Sequence, residues 1–282
     1  LTPAGKRIRD LALPPRLAAM ILHAAEDGEQ VAAARLAVLL TEQGLGGSGI
    51  DIEDRLRRFS NERGERAEAA RRLASRMAEG FGSAKPTGAS TPGALLMHAF
   101  PDRIALQRGG RGRFVMANGR GGELPETERL AGCGMIVVAD LTGQAGRQRI
   151  LAAAELDRAE VEAGLADKIV REDQCVFDRV SRQVRARRVV RLGAMILEEK
   201  PLPRPTGPKA ARALADGVRQ LGLQTLPFSR EAAQLRDRIG FLHRSIGEPW
   251  PDTSDAALLA RLDDWFVPFQ ETTRGIDDIT AA

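Results

Sequence analysis

The side chains in this sequence that are dense enough to do chemistry are arginines. Arg179, Arg182, Arg185, Arg187, Arg188 and Arg191 fall within one short run that contains no acid. At the two-residue period of a strand, Arg179, Arg185, Arg187 and Arg191 share a face, which Arg182 and Arg188 do not. A second set, Arg103, Arg108, Arg111, Arg113 and Arg120, lies on and beside a predicted hairpin. Guanidinium groups at this density repel one another unless an anion or nearby carboxylates neutralise them. Phosphate backbone is one such anion, and its geometry suits guanidinium. The alternative is a solvated strand face, or arginines paired with acids from another domain. Phe114 and Phe177 are the aromatic residues nearby, so any binding is expected to be electrostatic rather than base-reading.

Other constellations point away from catalysis. A phosphate-cradling P-loop needs GxxxxGK[ST]. The Gly5-Lys6 pair lacks the preceding glycine and the following hydroxyl residue, and no acidic DExH or DExD stretch is present to hold magnesium. Gln144-Ala-Gly-Arg-Gln-Arg149 resembles a clipped arginine-finger motif, but its spacing is wrong and it falls in a turn between two short strands. His23, His98 and His243 each stand alone on a helix, and Cys133 and Cys175 have no CxxC spacing. Neither a metal site nor a disulfide framework is indicated. Gly109–Gly112 and Gly119–Gly122 read as hairpin turns, because neither leads from a strand into a helix. No catalytic residue, metal ligand or cofactor site is therefore expected in this chain.

The elements that must position the arginines can be read from periodicity. Pro14-Pro15 opens a helix with Leu17, Met20, Ile21 and Ala24 on one face. A second helix, from Glu29 to Gln43, is expected to turn Val31, Ala34, Val38 and Leu39 inward. The Gly44–Gly49 stretch breaks the chain, Asp51 caps a helix through Phe59, and a helix from Glu65 to Glu79 is expected to bury Leu73 and Met77. Gly80–Gly93 reads as a linker, and Thr91-Pro92 starts a short helix ending near Phe100. The period then shortens: Ile104–Gln107, Gly112–Ala117, Met135–Ala139, Arg149–Ala153, Cys175–Arg188 and Val189–Glu198 are strand-like, with a turn at Asn118-Gly119. Asp157 and Glu160 have capping-box spacing for a helix to Leu165. These strands fit a small barrel of the OB type or a related small barrel. Pro201–Pro208 marks a second boundary. Three helices follow, the first carrying Leu214, Val218 and Leu221, the second capped by Ser229 and carrying Leu235, Ile239 and Leu242, and the third capped by Ser254 and carrying Leu258, Leu259, Leu262 and Trp265.

The expected fold class is therefore α+β and multi-domain, with a helical bundle, a small OB-like β-barrel and a helical C-terminal region. The domains are expected at residues 1–82, 93–203 and 204–282. Composition agrees with a globular chain: 282 residues, 43% hydrophobic, 28% charged and a net charge of +4. No apolar run approaches a membrane span, and the first residues lack the apolar core of a signal peptide. No membrane partner and a cytoplasmic location are expected.

Several blocks carry a family resemblance. Leu1-Thr-Pro-Ala-Gly5 and Leu11-Ala-Leu-Pro-Pro-Arg-Leu17 resemble the exit from the winged helix into the ratchet bundle of DEAH/DExH helicases. Ala99-Phe-Pro-Asp-Arg-Ile-Ala105, Ala117-Asn-Gly-Arg-Gly121 and Leu192–Pro203 resemble the HrpB-type subfamily. So do Phe241-Leu-His-Arg-Ser-Ile-Gly-Glu-Pro-Trp-Pro-Asp252 and Leu262-Asp-Asp-Trp-Phe266. The resemblance runs from Leu1 to about Gln270 and implies an accessory region that follows an ATPase core. It implies the end of a winged helix, a ratchet-like bundle, an OB-like barrel and part of a C-terminal domain cut within its length. It also implies upstream RecA-like domains in the same polypeptide, which would use ATP and magnesium, and single-stranded RNA, or DNA, as partner. The motor motifs being absent, this chain is expected to be inactive as an ATPase and to guide nucleic acid. The competing expectation is a protein-interaction platform, in which Trp250, Trp265 and Phe266 dock a partner.

Overall fold

A computed structural model describes residues 2–81, 90–144 and 147–280. The chain divides into two compact units, one formed by Leu1–Val170 with Arg191–Met195 and the other by Arg171–Val190 with Ile196–Ala282. Among the described residues no helix is long and apolar enough to cross a membrane.

The first unit begins with helices α1 (Pro3–Asp10), α2 (Pro15–Ala24), α3 (Gln30–Thr41), α4 (Ile52–Asn61) and α5 (Glu65–Glu79). Pro15 sits in the first turn of α2, where a missing N–H costs nothing. Helix α2 buries Leu17, Met20, Ile21 and Ala24, as the spacing predicts. Two inward assignments differ. Val31 is 40% exposed, because it lies in the first turn of a helix whose buried face is carried by Ala33, Ala34, Leu36, Ala37, Val38 and Leu39. In α5 the buried residues are Ala67, Ala70, Ala74 and Ala78, while Leu73 and Met77 are half-buried. Helices α3 and α5 pack directly against each other, and small side chains let two helices approach closely. The expected linker falls largely on residues 82–89, outside the described residues.

Helix α6 (Pro92–Ala99) is capped by the Thr91 hydroxyl, which accepts from the Ala94 N–H at 3.0 Å. Five strands then close a barrel: β1 (Ile104–Gln107), β2 (Arg113–Met116), β3 (Gly121–Glu123), β4 (Met135–Gln144) and β5 (Arg147–Glu155). Their order round the barrel is β1-β2-β3-β5-β4. The β3–β5 pair is parallel and the other pairs are antiparallel. Alternation along β2 turns Phe114 and Met116 inward, where they meet Ala105, Ile136, Val138 and Ile150. Strand β3 has the sequence Gly-Gly-Glu, without the apolar alternation that makes a strand legible. Helix α7 (Arg158–Gly164) carries the expected capping box. The Asp157 carboxylate accepts from the Ala159 N–H, and Glu160 accepts from the Asp157 N–H at 2.8 Å.

Within this unit the helices are fastened to the barrel through Asp51. Its carboxylate caps α4 by accepting from the Glu53 N–H at 3.0 Å, and accepts from Arg129 Nε at 2.8 Å. Arg129 also donates to Glu155 at 2.6 Å. The chain beside Asp51 joins the barrel directly, the Ala153 N–H donating to the Ile50 carbonyl at 2.9 Å.

The second unit holds most of a three-stranded sheet in the order β6 (Ile169–Asp178), β7 (Gln183–Leu192) and β8 (Met195–Pro201). This corrects the expectation that the later strands belong to the barrel. The barrel is already closed by the β1–β4 pairing and offers them no free edge. A turn also divides the expected Cys175–Arg188 strand in two. The Asp178 carboxylate accepts there from the Val180 N–H at 2.9 Å and the Ser181 N–H at 3.3 Å, and Arg182 takes a left-handed φ of 55°.

The core of this unit forms on α8 (Pro208–Leu221), whose Ala210, Ala211, Leu214 and Val218 meet Val184, Leu262, Phe266 and Ile276. Gly217 is required here, because the Phe177 ring occupies the position a Cβ would take. Helix α9 (Arg230–Ile246) starts at the expected Ser229 cap, but Gly240 is its one buried residue. The expected inward Leu235 is 58% exposed. The predicted last helix is broken at Arg261 into α10 (Asp255–Ala260) and α11 (Leu262–Trp265).

Candidate nucleic-acid interface

The barrel set of arginines divides by partner. Arg103 is held: it donates to the Ala139 carbonyl at 3.0 Å and lies over the Phe100 ring. Arg111 donates from Nε to the Glu126 carbonyl at 2.8 Å, and Arg113 lies 3.8 Å from the Glu123 carboxylate. Arg108 and Arg120 are exposed at the two hairpin turns that flank β2. Neither has a carboxylate within ion-pair distance among the described residues. The Arg120 N–H donates to the Asn118 side chain at 2.9 Å, so the expected Asn-Gly turn presents Arg120 outward.

In the second unit, carboxylates neutralise most of the dense run. Arg188 donates to Asp173 at 2.7 and 2.9 Å. Arg187 bonds Gln174 at 3.2 Å and Glu199 at 2.9 Å. Arg185 pairs with Asp178 at 2.9 Å, and Arg182 with Asp277 at 3.2 Å. The Asp173 carboxyl is held below its usual range, first by the hydrogen bond from Arg188. The Asp178 carboxyl is also held low, chiefly by the Ser181 and Val180 N–H groups and then by Arg185. Arg179 is exposed at the hairpin tip beside Val180, with no carboxylate partner among the described residues. The two-residue alternation is not kept along the run: Arg179 lies before β7 begins, and Val189 and Val190 are both buried. Arg191 is half-buried and belongs to the first unit.

Sequence reading missed these counter-charges because they arrive from other segments. Asp173 and Asp178 lie on β6, Glu199 on β8 and Asp277 near the end of the described chain. A hairpin alignment about residues 179–182 would have placed Asp173 opposite Arg188.

The remaining reactive side chains do not gather into a site. Among the described residues no three His, Cys, Asp or Glu side chains converge as metal ligands. His23 and His98 do meet, ring centroids 3.8 Å apart, on α2 and α6. Both cysteines are half-buried. The Cys133 thiol is pushed up by burial and by Glu155. The Gln144–Arg149 motif falls at the tip of the β4–β5 hairpin, with residues 145–146 outside the described residues. Of the aromatic residues considered for docking, Phe266 is in the core and Trp265 packs against it, donating to the Leu258 carbonyl at 2.9 Å. Trp250 is 39% exposed.

No family model matches the chain. The ATP-dependent RNA helicase HrpB of Escherichia coli strain K12 is 30% identical over 272 residues, which is 95% of this chain and 33% of that protein. A crystal structure of the E. coli DExH-box NTPase HrpB matches with a TM-score of 0.63 and 27% identity, covering 99% of this chain and 34% of that one. A crystal structure of the Escherichia coli DEAH/RHA helicase HrpB matches with a TM-score of 0.62 and 25% identity, covering 100% of this chain and 35% of that one. The chain thus spans about a third of the length of these relatives. By sequence and by fold together, it is recognised as a counterpart of the C-terminal region of an HrpB-type DEAH/DExH helicase.

Proposed function

We propose that this chain holds single-stranded RNA, through contacts to the phosphate backbone, for RecA-like domains carried by the same longer polypeptide. ATP and magnesium would be bound and used in those domains. The similarity to an RNA helicase over nearly the whole chain carries this reading. It gains support from Arg108, Arg120 and Arg179, exposed at turns where a phosphate can approach them. A closed five-strand barrel in the order β1-β2-β3-β5-β4 is compatible with an OB-like module, and the helices before it with a ratchet-like bundle. With few aromatic residues near these turns, binding is weak, tolerant of sequence and sensitive to salt.

The test is the salt dependence of RNA binding. Replacing Arg108 and Arg120 together by alanine is expected to weaken binding of a single-stranded oligonucleotide. It should also lower the slope of log K against log salt by about 1.4, at about 0.7 for each phosphate no longer neutralised. The Arg185→Ala, Arg187→Ala double variant should change the slope less, because Asp178 and Glu199 already neutralise those groups. Arg35→Ala with Arg57→Ala is the charge-matched control on the helices. Equal slopes in all three variants would mean that net charge alone, and no site, governs binding.

A second reading is a docking platform for protein, favoured by the exposed Leu235, Phe241 and Ile246 of α9 and by Trp250. Under it, Leu235→Lys with Ile246→Lys leaves the chain folded, both residues being exposed, and abolishes capture by the separately expressed remainder of the polypeptide. Unchanged capture would remove this reading.

A further inference from the structure

The first unit contains a cleft of about 1160 Å³ that the arginine hairpins do not account for. Its apolar lining with accessible surface includes Pro14, Pro15 and Leu40. The cleft is also lined by residues of the glycine-rich loop after α3 and by Arg55 on α4. An apolar cleft with a few placed polar groups is the usual form of a small-ligand site.

Arg55 is the unusual member. Its carbonyl oxygen and Cα lie against Gly46, so the loop is locked to α4 at this residue. One of its terminal nitrogens donates to the Leu39 carbonyl at 3.3 Å. Its Nε is buried and has no hydrogen-bond partner. No carboxylate lies within ion-pair distance of it among the described residues. Burial disfavours its charge, and the more distant Asp140 offsets this only in part. A buried donor left unpaired forfeits its solvation without recompense, and more so when charged. An anionic acceptor entering the cleft would remove that cost.

The other charges narrow the ligand. Arg16 is neutralised by Asp102, to which it donates at 2.6 and 3.3 Å. Arg103 is engaged by the Ala139 carbonyl. Glu42 and Asp140 also line the cleft. A polyphosphate would meet these carboxylates, whereas one phosphate on an uncharged aromatic body would not. We propose that this cleft binds a single nucleoside phosphate unit, its phosphate on Arg55 and its base against the apolar surface of Pro14, Pro15 and Leu40. The unit is supplied either by a free mononucleotide or by one residue of a strand. The inference deepens the nucleic-acid reading but does not use the arginine hairpins.

The experiment titrates the whole chain with AMP, followed by phosphorus NMR line broadening, and with a labelled 12-residue oligouridylate, followed by anisotropy. AMP should bind more tightly than ATP. Arg55→Ala should weaken binding at least tenfold, and so should Ser48→Glu, which sets a negative charge at an exposed position of the cleft. Arg57→Ala, on the same helix but exposed and paired with Asp54, should stay within twofold. Should Arg55→Ala fail to fold, Ser48→Glu still decides. Weakening in both arms shows that a free mononucleotide suffices, and weakening in the oligonucleotide arm alone assigns the unit to a strand. The proposal is overturned if neither arm distinguishes Arg55→Ala and Ser48→Glu from Arg57→Ala. If Arg108→Ala with Arg120→Ala still weakens the oligonucleotide in that case, the hairpin contacts stand and the cleft does not.

Discussion

Gly46→Ala is expected to destabilise the first unit by about 2–5 kcal/mol, the sum of two penalties. Gly46 has a φ of +62°, and an L-residue in that left-handed region costs roughly 1–2 kcal/mol. A Cβ placed there would collide with the Arg55 carbonyl oxygen and lie 2.8 Å from its carbonyl carbon. Neither atom can swing aside as a side chain would, so α4 or the loop must shift, at a cost of about 1–3 kcal/mol. The Gly46 N–H donates to Glu62 at 3.1 Å, so a shift also strains that bond. Gly49→Ala is the control. Its φ is not left-handed, and nothing lies within 4 Å of its Cβ position, so a change within about 0.5 kcal/mol is expected. Urea unfolding followed by circular dichroism measures both, and similar midpoints for the two variants would refute the close approach. Because Gly46 positions Arg55, the same variant should also weaken nucleotide binding.

Stability should fall as the pH drops from 6.5 to 4, and His98 should be responsible. Burial first, then the nearby His23 and Lys168, lower its pKa from 6.5 to about 4. The folded state therefore resists a proton that the unfolded state accepts. The contribution of neutral His98 is complete above pH 6.5 and is lost progressively as pH falls toward 4. Discounted for partial exposure, the loss amounts to about 2 kcal/mol. Carboxylates with lowered pKa act in a different window. Burial raises the Asp102 carboxyl, but the Arg16 hydrogen bond and charge outweigh it. Its stabilising share is present above the ordinary carboxylate range and is lost below it. Urea unfolding at pH 7 and pH 4.5 should thus show a large difference in the wild-type chain and a small one in His98→Gln. An equal difference in both proteins would exclude His98 as the source.

The parts of this molecule that were legible in its sequence are those set by local chemistry. Thr91, Asp157, Ser229 and Ser254 cap helices because a side-chain oxygen three residues or fewer from a free N–H needs no distant partner. The Asn118-Gly119 turn follows from backbone preference, with Gly119 at a left-handed φ of 82°. The family blocks were legible for a different reason, being literal strings of residues. What the sequence left open was every pairing that closes over distance. Leu73 and Leu235 have helical spacing, yet Leu73 is half-buried and Leu235 exposed, because spacing defines a face without saying what covers it. The barrel stopped at five strands because β1 met β4, a contact between segments some thirty residues apart. The arginine run seemed to be an unneutralised charge because Asp173, Glu199 and Asp277 reach it only in the folded chain. Electrostatic energy depends on separation in space, which composition cannot express. The cleft beside Arg55 arises in the same way, from a glycine loop, a helix and a barrel edge that tertiary structure alone brings together.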